Sequence, residues 1–241
     1  MPFRPSAVLA RTVVRRTGRT VSAGPFRGMK YVTARVGSAY CPKLLGVYEQ
    51  ELHPLIDAIV RLRPDRVINL GAAEGYYAVG LARTIPAAEV VAFEQTAEGQ
   101  SLLRELAALN AVDRIRVFGR CEPADLQAEL APARRAVVVC DVEGYEATLL
   151  DPVAVPALAA AWVLVELHEF IVPGIGDLIR SRFAATHRIT EIPQVDRTRA
   201  DYPYQSWYTR LLPAAYAIYA VSEFRPARMS WLWLEPLAGG P

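Results

Sequence analysis

The first 48 residues contain no Asp or Glu, although nine of them are Arg or Lys. The whole chain carries 27 basic and 25 acidic side chains, a net charge of +2, which leaves residues 49–241 with 18 basic against 25 acidic groups, a net −7. A basic arm (Arg4, Arg11, Arg15, Arg16, Arg19, Arg27, Lys30, Arg35, Lys43) ahead of an acidic body can attract nucleic acid, anionic lipid or a phosphorylated substrate. Docking on its own body, or plain solvation, is the expected outcome. The arm's Arg content is like that of a transit peptide, whereas its apolar patch, Ala7 to Ala10, is far short of a secretory signal. Cysteine is scarce: Cys41, Cys121 and Cys140 form no Cys-x-x-Cys pair, which argues against a disulfide framework or a zinc knuckle and suggests a reduced, cytoplasmic chain. Long apolar runs are missing too. The longest, Pro152 to Val165, is broken by Pro156 and falls short of the roughly 20 residues a membrane helix needs, so a soluble domain with no membrane span is expected.

No internal repeat at a fixed period is visible, and 15 Gly with 18 Pro make the chain neither collagen-like nor low in complexity. What recurs is a β-branched run followed by a helical pattern. Strands are predicted at Arg66–Leu70, Glu89–Phe93, Arg114–Phe118, Ala136–Cys140 and Trp162–Val165, and their unbroken apolar character is that of parallel strands buried on both faces. Helical spacing is predicted at Glu49–Arg63, Tyr76–Thr84, Gly99–Asn110, Pro123–Leu130 and within Ala147–Ala160. The tail predicts a helix at Asp177–Ala185, a strand near Arg188–Ile192, a helix from Ala214 and a last strand at Met229–Leu234. This alternation predicts an α/β fold, a doubly wound Rossmann-like sheet, mostly parallel. The division expected is a basic arm or cap, 1–48, and a catalytic domain, 49–241. Because the strand pattern begins only at Arg66, residues 1–30 are expected to be dispensable for folding.

The first predicted strand runs into Asn69-Leu70-Gly71-Ala72-Ala73-Glu74-Gly75-Tyr76, a small-residue turn that opens a helix. Gly71 and Gly75 allow close backbone approach, and a helix amino terminus offers free N–H groups. Some 20 residues on, the second strand ends in Phe93-Glu94-Gln95, where a carboxylate can accept both hydroxyls of a ribose. Together they point to an adenosine-type ligand. The Gly-x-Gly-x-x-Gly of nicotinamide enzymes is absent, with Ala73 where a further Gly would stand, so the turn suits a pyrophosphate less well.

Asn69-Leu70-Gly71-Ala72-Ala73-Glu74-Gly75, Ala92-Phe93-Glu94, Leu109-Asn110 and Asp141-Val142-Glu143-Gly144-Tyr145-Glu146 resemble the FkbM-type branch of class I S-adenosylmethionine-dependent methyltransferases, from about Lys43 to Pro236. The family's first motif usually begins with an acid and reads like Asp-x-Gly-Ala-Asn-x-Gly; Asn69 and Ala73 depart from it. The resemblance implies S-adenosylmethionine as cofactor, with Gly71 and Gly75 at its methionine moiety, Glu94 on the ribose hydroxyls, Cys121 and Glu122 near the adenine, and Asn69, Ala72, Tyr76, Gln95 and Asp141 also expected to bind it.

Asp141 and Glu143 follow the fourth strand and Glu166, His168 and Glu169 end the fifth, so adjacent strands bring ionisable groups to one crevice. Either one of these acts as a base, His168 by preference with Asp141, Glu143 and Glu166 beside it, or Asp141, Glu166 and His168 hold Mg or Mn against a substrate hydroxyl. The alternative is a helix cap and solvated charges. Methyl transfer to a hydroxyl needs a base, so a small hydroxylated metabolite is the expected acceptor. No Asn/Asp-Pro-Pro-Tyr/Phe follows the fourth strand, which argues against nucleic acid as the substrate. Acceptor contacts are expected from Tyr48 and Glu49, beside Tyr40 and Lys43, and from the aromatic stretch holding Tyr202, Tyr204, Trp207 and Tyr208. Glu223-Phe224-Arg225-Pro226 reads as an ion pair closing a turn. A nicotinamide-dependent oxidoreductase and a non-catalytic binding module, each on the same fold, stay open, as does a homo-oligomer.

Overall fold

Val, Ile and Leu dominate five short runs that form adjacent parallel strands in the computed structural model: β1 (Arg66–Leu70), β2 (Glu89–Phe93), β3 (Ile115–Phe118), β4 (Ala136–Cys140) and β5 (Trp162–Leu167). The structure describes residues 5–33, 39–205, 207 and 214–237. Two further strands, β6 (His187–Pro193) and β7 (Ser230–Pro236), complete a seven-stranded sheet in the order β3-β2-β1-β4-β5-β7-β6. Inserted between β5 and β6, β7 runs antiparallel to both. The predicted doubly wound, mostly parallel α/β sheet is therefore found, with its antiparallel strand near the C-terminus.

Alternation along β1 shows how the sheet separates two cores. Val67 packs on the side of α3 (His53–Leu62), α4 (Tyr76–Thr84) and α5 (Ala97–Leu109), while Ile68 and Leu70 face α6 (Pro123–Leu130), α7 (Glu146–Leu149) and α8 (Ile175–Phe183). Successive side chains on a strand point to opposite faces, so a run that is apolar throughout feeds both layers. A last helix, α9, spans Ala214–Val221.

One boundary differs from the expectation, and two segments settle what the pattern left open. Within the Ala147–Ala160 stretch, α7 stops at Leu149 and a 3-10 turn forms at Pro156–Ala160. Pro152 and Pro156 lack the N–H a continuous helix would need. The helix expected from Glu49 begins at His53 behind a 3-10 turn at Gln50–Leu52, because Glu49 adopts a left-handed φ of 45°. The arm, for its part, contains α1 (Pro5–Thr17) and α2 (Tyr40–Leu45) and is built into the domain.

Val21, Phe26, Met29 and Tyr31 are at most 2% exposed and belong to the same core as α4. The Phe26 ring lies edge-on to Tyr76 and Tyr77, with centroids at 5.1 and 5.9 Å. Asn110 is bonded through its side chain to both the N–H and the carbonyl of Lys30, at 2.9 and 2.8 Å. Against the expectation that residues 1–30 are dispensable for folding, Val21, Phe26 and Met29 contribute buried side chains to the core. Arg4 and Arg35 of the arm, and Tyr208, lie outside the described residues. No helix among the described residues is long and apolar enough to cross a membrane.

Candidate functional site

At the carboxyl ends of β1, β2, β4 and β5 lies a cavity of about 620 Å³. Its floor begins with the turn after β1. The N–H groups of Gly71 and Ala72 both donate to the Phe93 carbonyl, at 3.0 and 2.9 Å, which locks this turn to the end of β2. Gly71 has a φ of +72°, and a Cβ there would lie 1.7 Å from the Asp141 carbonyl oxygen. Contact with β4 is therefore enough to require glycine at this position. Gly75, at φ 95°, is the N-cap of α4.

Glu94 holds the opposite wall. Its Oε2 accepts the Ala73 N–H at 2.9 Å and its Oε1 accepts the N–H and hydroxyl of Thr96 at 2.8 and 2.6 Å. These bonds stabilise Ala73 at its left-handed φ of 47° and fix the carboxylate's orientation. A carboxylate offers about four acceptor positions, so Oε2 retains capacity for a ligand hydroxyl. Asn69, 2% exposed, donates from Nδ2 to the Val139 carbonyl at 3.3 Å, while its Oδ1 has no partner among the described residues.

The N-terminal cap supplies a further wall. Lys43 is 3% exposed, and its Nζ lies 2.8 Å from Oε1 of Glu74, the same oxygen that accepts the Tyr31 hydroxyl at 2.9 Å. Burial pushes the Glu74 carboxyl up, but Lys43 and these hydrogen bonds outweigh it and hold Glu74 below the usual carboxylate range. The Lys43 ammonium also stands over the rings of Tyr48 and Tyr76, at 4.8 and 5.3 Å.

Beyond β4 and β5 the side chains converge as the spacing predicts, with one change of partner. His168 is 2% exposed. Its Nδ1 lies 2.6 Å from Oε1 of Glu146, and its Nε2 lies 3.5 Å from both Asp141 and Glu143. Asp141, Glu143 and His168 each bring one potential ligand atom to within 4.8 Å of the others. Glu166 is not in that group. Arg225 bonds Glu166 and also reaches Glu49 at 2.5 Å and Glu223 at 2.8 Å.

Burial and the neighbouring charges of Glu49 and Glu143 push Asp141 up to about 6, although His168 and Arg225 pull the other way. Burial, then Asp141 and Glu49, also hold Glu166 well above the usual carboxylate range in spite of Arg225. For His168, burial lowers the pKa, but the hydrogen bond to Glu146 and the charges of Asp141, Glu146 and Glu143 more than offset it and leave the imidazole above its ordinary value.

Tyr48, Asn69, Gly71, Ala72, Tyr76, Glu94, Gln95, Cys121, Asp141, Glu143, Glu166 and His168 all line this one cavity. Burial drives the Cys121 thiol up to about 12, which keeps it protonated and unreactive. Six of the expected residues stand elsewhere, Gly75 among them as the N-cap of α4. Glu122 caps α6 through a reciprocal pair with Asp125 and accepts the Tyr145 hydroxyl at 2.7 Å. Tyr202 is a core side chain, Tyr204 packs against that core beneath Arg16, and Trp207 is 76% exposed. Glu49 sits behind the wall, bonded to the Tyr77 hydroxyl and to Arg225. Sequence reasoning places Glu146 only at the end of a motif and gives it no role; the expected Glu223–Arg225 ion pair is present at 2.8 Å, but the contacts of Arg225 with Glu49 and Glu166 were missed.

No family model matches the chain. A 62-residue stretch, 26% of the chain, is 40% identical to the release factor glutamine methyltransferase of Deinococcus radiodurans and spans 22% of that protein's length. Among solved structures, a precorrin-6y C5,15-methyltransferase from Geobacter metallireducens aligns with a TM-score of 0.52 at 10% identity, over 77% of this chain and 88% of that one. A human methyltransferase 10 domain containing protein gives 0.52 at 12% identity, over 94% and 96%. The sheet and its flanking helices are thus those of the Rossmann-like class I methyltransferase fold.

Proposed function

We propose that this chain is an S-adenosylmethionine-dependent methyltransferase of the FkbM type that methylates a hydroxyl group of a small molecule, with His168 as the base. The observation that carries the reading is the shared cavity: an adenosine-type turn with its Glu94 and a buried histidine facing two carboxylates line the same 620 Å³ space, a size in the range of small-molecule sites. Two features suit the cofactor itself. Asn69 keeps a buried, unpartnered oxygen suited to an ammonium group, and Glu94 holds a fixed acceptor for ribose. Gly71, Ala72 and Tyr76 would surround the methionine moiety, with Gly75 setting the helix start behind them, and Gln95 and Cys121 would lie toward the nucleoside.

When bound, the cofactor supplies a methyl group on a positively charged sulfur, and the C–S electron pair leaves with that sulfur as a neutral thioether. Nε2 of His168 accepts the proton that the hydroxyl gives up as its oxygen bonds to carbon. Asp141 and Glu143 flank the imidazolium so formed and stabilise it, and Tyr48 closes the acceptor side beneath the Lys43 ammonium.

Calorimetry with S-adenosylmethionine and turnover across a panel of hydroxylated metabolites test this reading. His168→Gln is expected to lower turnover by roughly 10²- to 10⁴-fold with cofactor affinity intact. Turnover by wild-type enzyme should fall as pH drops through a value above the roughly 6.5 of an ordinary imidazole, since the protonated ring accepts nothing. Activity lost in EDTA and restored by Mg or Mn would replace the base with a cation among Asp141, Glu143 and His168. Binding of a nicotinamide dinucleotide in place of S-adenosylmethionine would overturn the reading.

A further inference from the structure

Beyond the groups that face the cavity, we infer that Glu146 is a positioning residue: it holds His168 in the tautomer that carries its proton on Nδ1 and turns the Nε2 lone pair toward the acceptor. The role in turnover rests on the methyltransferase reading above; the assignment of the tautomer does not.

Glu146 is fully buried, at 0% exposure, and does not line the cavity. A carboxylate without solvent is costly unless it is hydrogen-bonded. Its Oε1 accepts from the Gly144 N–H at 3.2 Å and faces Nδ1 of His168 at 2.6 Å. Oε1 already accepts the Gly144 N–H, so it meets the imidazole as an acceptor and Nδ1 is the ring nitrogen that bears hydrogen. Nε2 is then the basic nitrogen, and it is the one that points between Asp141 and Glu143 into the cavity.

The alternative tautomer would set the Nδ1 lone pair against a buried carboxylate and aim an N–H at the acceptor, where it could take no proton. Locally the geometry is built for this contact. Gly144, at φ 101°, reverses the chain after Glu143, so Glu146 at the start of α7 returns beneath the end of β5. Asp141, Glu143 and Glu146 thus leave β4 together but divide the labour: the first two face the ligand space, and the third reaches the imidazole and the Gly144 N–H behind it.

The test is 15N NMR of the full chain labelled at histidine, recorded at a pH where the ring is neutral. The sequence has three histidines, and His168→Gln identifies the ring of interest by its disappearance. The wild type is expected to carry the proton on Nδ1. In Glu146→Gln the side-chain oxygen still accepts, and the tautomer should persist. In Glu146→Leu the acceptor is gone, the proton should move to Nε2, and kcat should fall by roughly 10- to 100-fold with cofactor Kd within about twofold. An Nε2-protonated ring in the wild type would overturn the proposal, and so would an unchanged tautomer in a folded Glu146→Leu. If that variant does not fold, the wild-type spectrum still decides. Failure to bind S-adenosylmethionine would leave the tautomer as it is and count only against the methyltransferase reading.

Discussion

Arg225 is the cation on which the acidic side of the cavity depends, and Arg225→Met should reveal how much. Its guanidinium touches Glu49, Glu166 and Glu223, whose side chains are 2%, 4% and 6% exposed, and stacks over Trp231 with its centre 5.0 Å from the ring. Met preserves much of the apolar stem while removing the charge. Glu223 keeps Arg197 at 2.7 Å and Glu49 keeps the Tyr77 hydroxyl, so Glu166 suffers most. Removing one partner of a buried ion pair costs about 3–5 kcal/mol, a large part of the roughly 5–15 kcal/mol that holds a domain folded. At about 2–4 °C per kcal/mol for a chain of this size, the melting temperature should fall by about 10 °C. The loss should also depend on pH. Glu166 already titrates above its ordinary range, so the folded state binds more protons than the unfolded state in that window, and stability falls as pH rises through it. Without Arg225 the window widens, and the deficit should be larger near pH 8 than near pH 5, where the carboxyl accepts a proton. Thermal denaturation followed by circular dichroism at both pH values and constant ionic strength measures this. A melting temperature within about 2 °C of wild type, or a deficit equal at the two pH values, would refute the role of Arg225 as the neutralising charge.

Gly71→Ala should destabilise the fold by about 3 kcal/mol or more, since it combines a left-handed φ with a Cβ 1.7 Å from the Asp141 carbonyl; an unchanged melting temperature would contradict this. Deleting residues 1–30 removes Val21, Phe26 and Met29 from the core, and at about 2–5 kcal/mol for each large side chain the truncated protein should not fold cooperatively, as calorimetric scanning would show. Asp141 protonates near pH 6, so the preference for S-adenosylmethionine over its neutral thioether product should shrink as pH falls from about 8 to about 5; equal Kd ratios at both ends would place the sulfonium away from Asp141.

The sheet was readable because its signals are local. Each parallel strand is a β-branched run hydrophobic on both faces, and β1, β2 and β4 have their predicted limits while β3 and β5 differ by one or two residues. One boundary failed where a local signal was overruled: Glu49 at a left-handed φ delays α3, while Pro152 and Pro156 confine the helical pattern of Ala147–Ala160 to α7 and a 3-10 turn. The arm docks on its own body, one of the two outcomes expected of it, but the side chains that dock it were not legible. Its Arg and Lys residues dominate any reading of composition, yet its fate is set by Val21, Phe26, Met29 and Tyr31, which are scattered among them with no period and join the core that holds α4, Phe26 and Tyr31 meeting the Tyr76 ring.

The candidate site divides along the same line. Residues at the ends of β1, β2, β4 and β5 could be gathered from sequence because the topology of a doubly wound sheet brings successive strand ends to one edge. What could not be gathered is which charge neutralises which. The sequence placed Glu166 with Asp141 and His168, but Arg225, 59 positions further along the chain, takes Glu166, and Glu143 stands in its place. Lys43, 31 positions before Glu74, takes the one acid of the glycine turn. Both cations come from segments outside the five parallel strands, so neither pairing has a short-range signature. The consequence is electrostatic: strand ends supply an excess of carboxylates, and the N-terminal cap and the loop before β7 decide which of them stay charged toward the cavity. Asp141 and Glu143 are left facing His168, the arrangement that the proposed base would need once it had taken a proton.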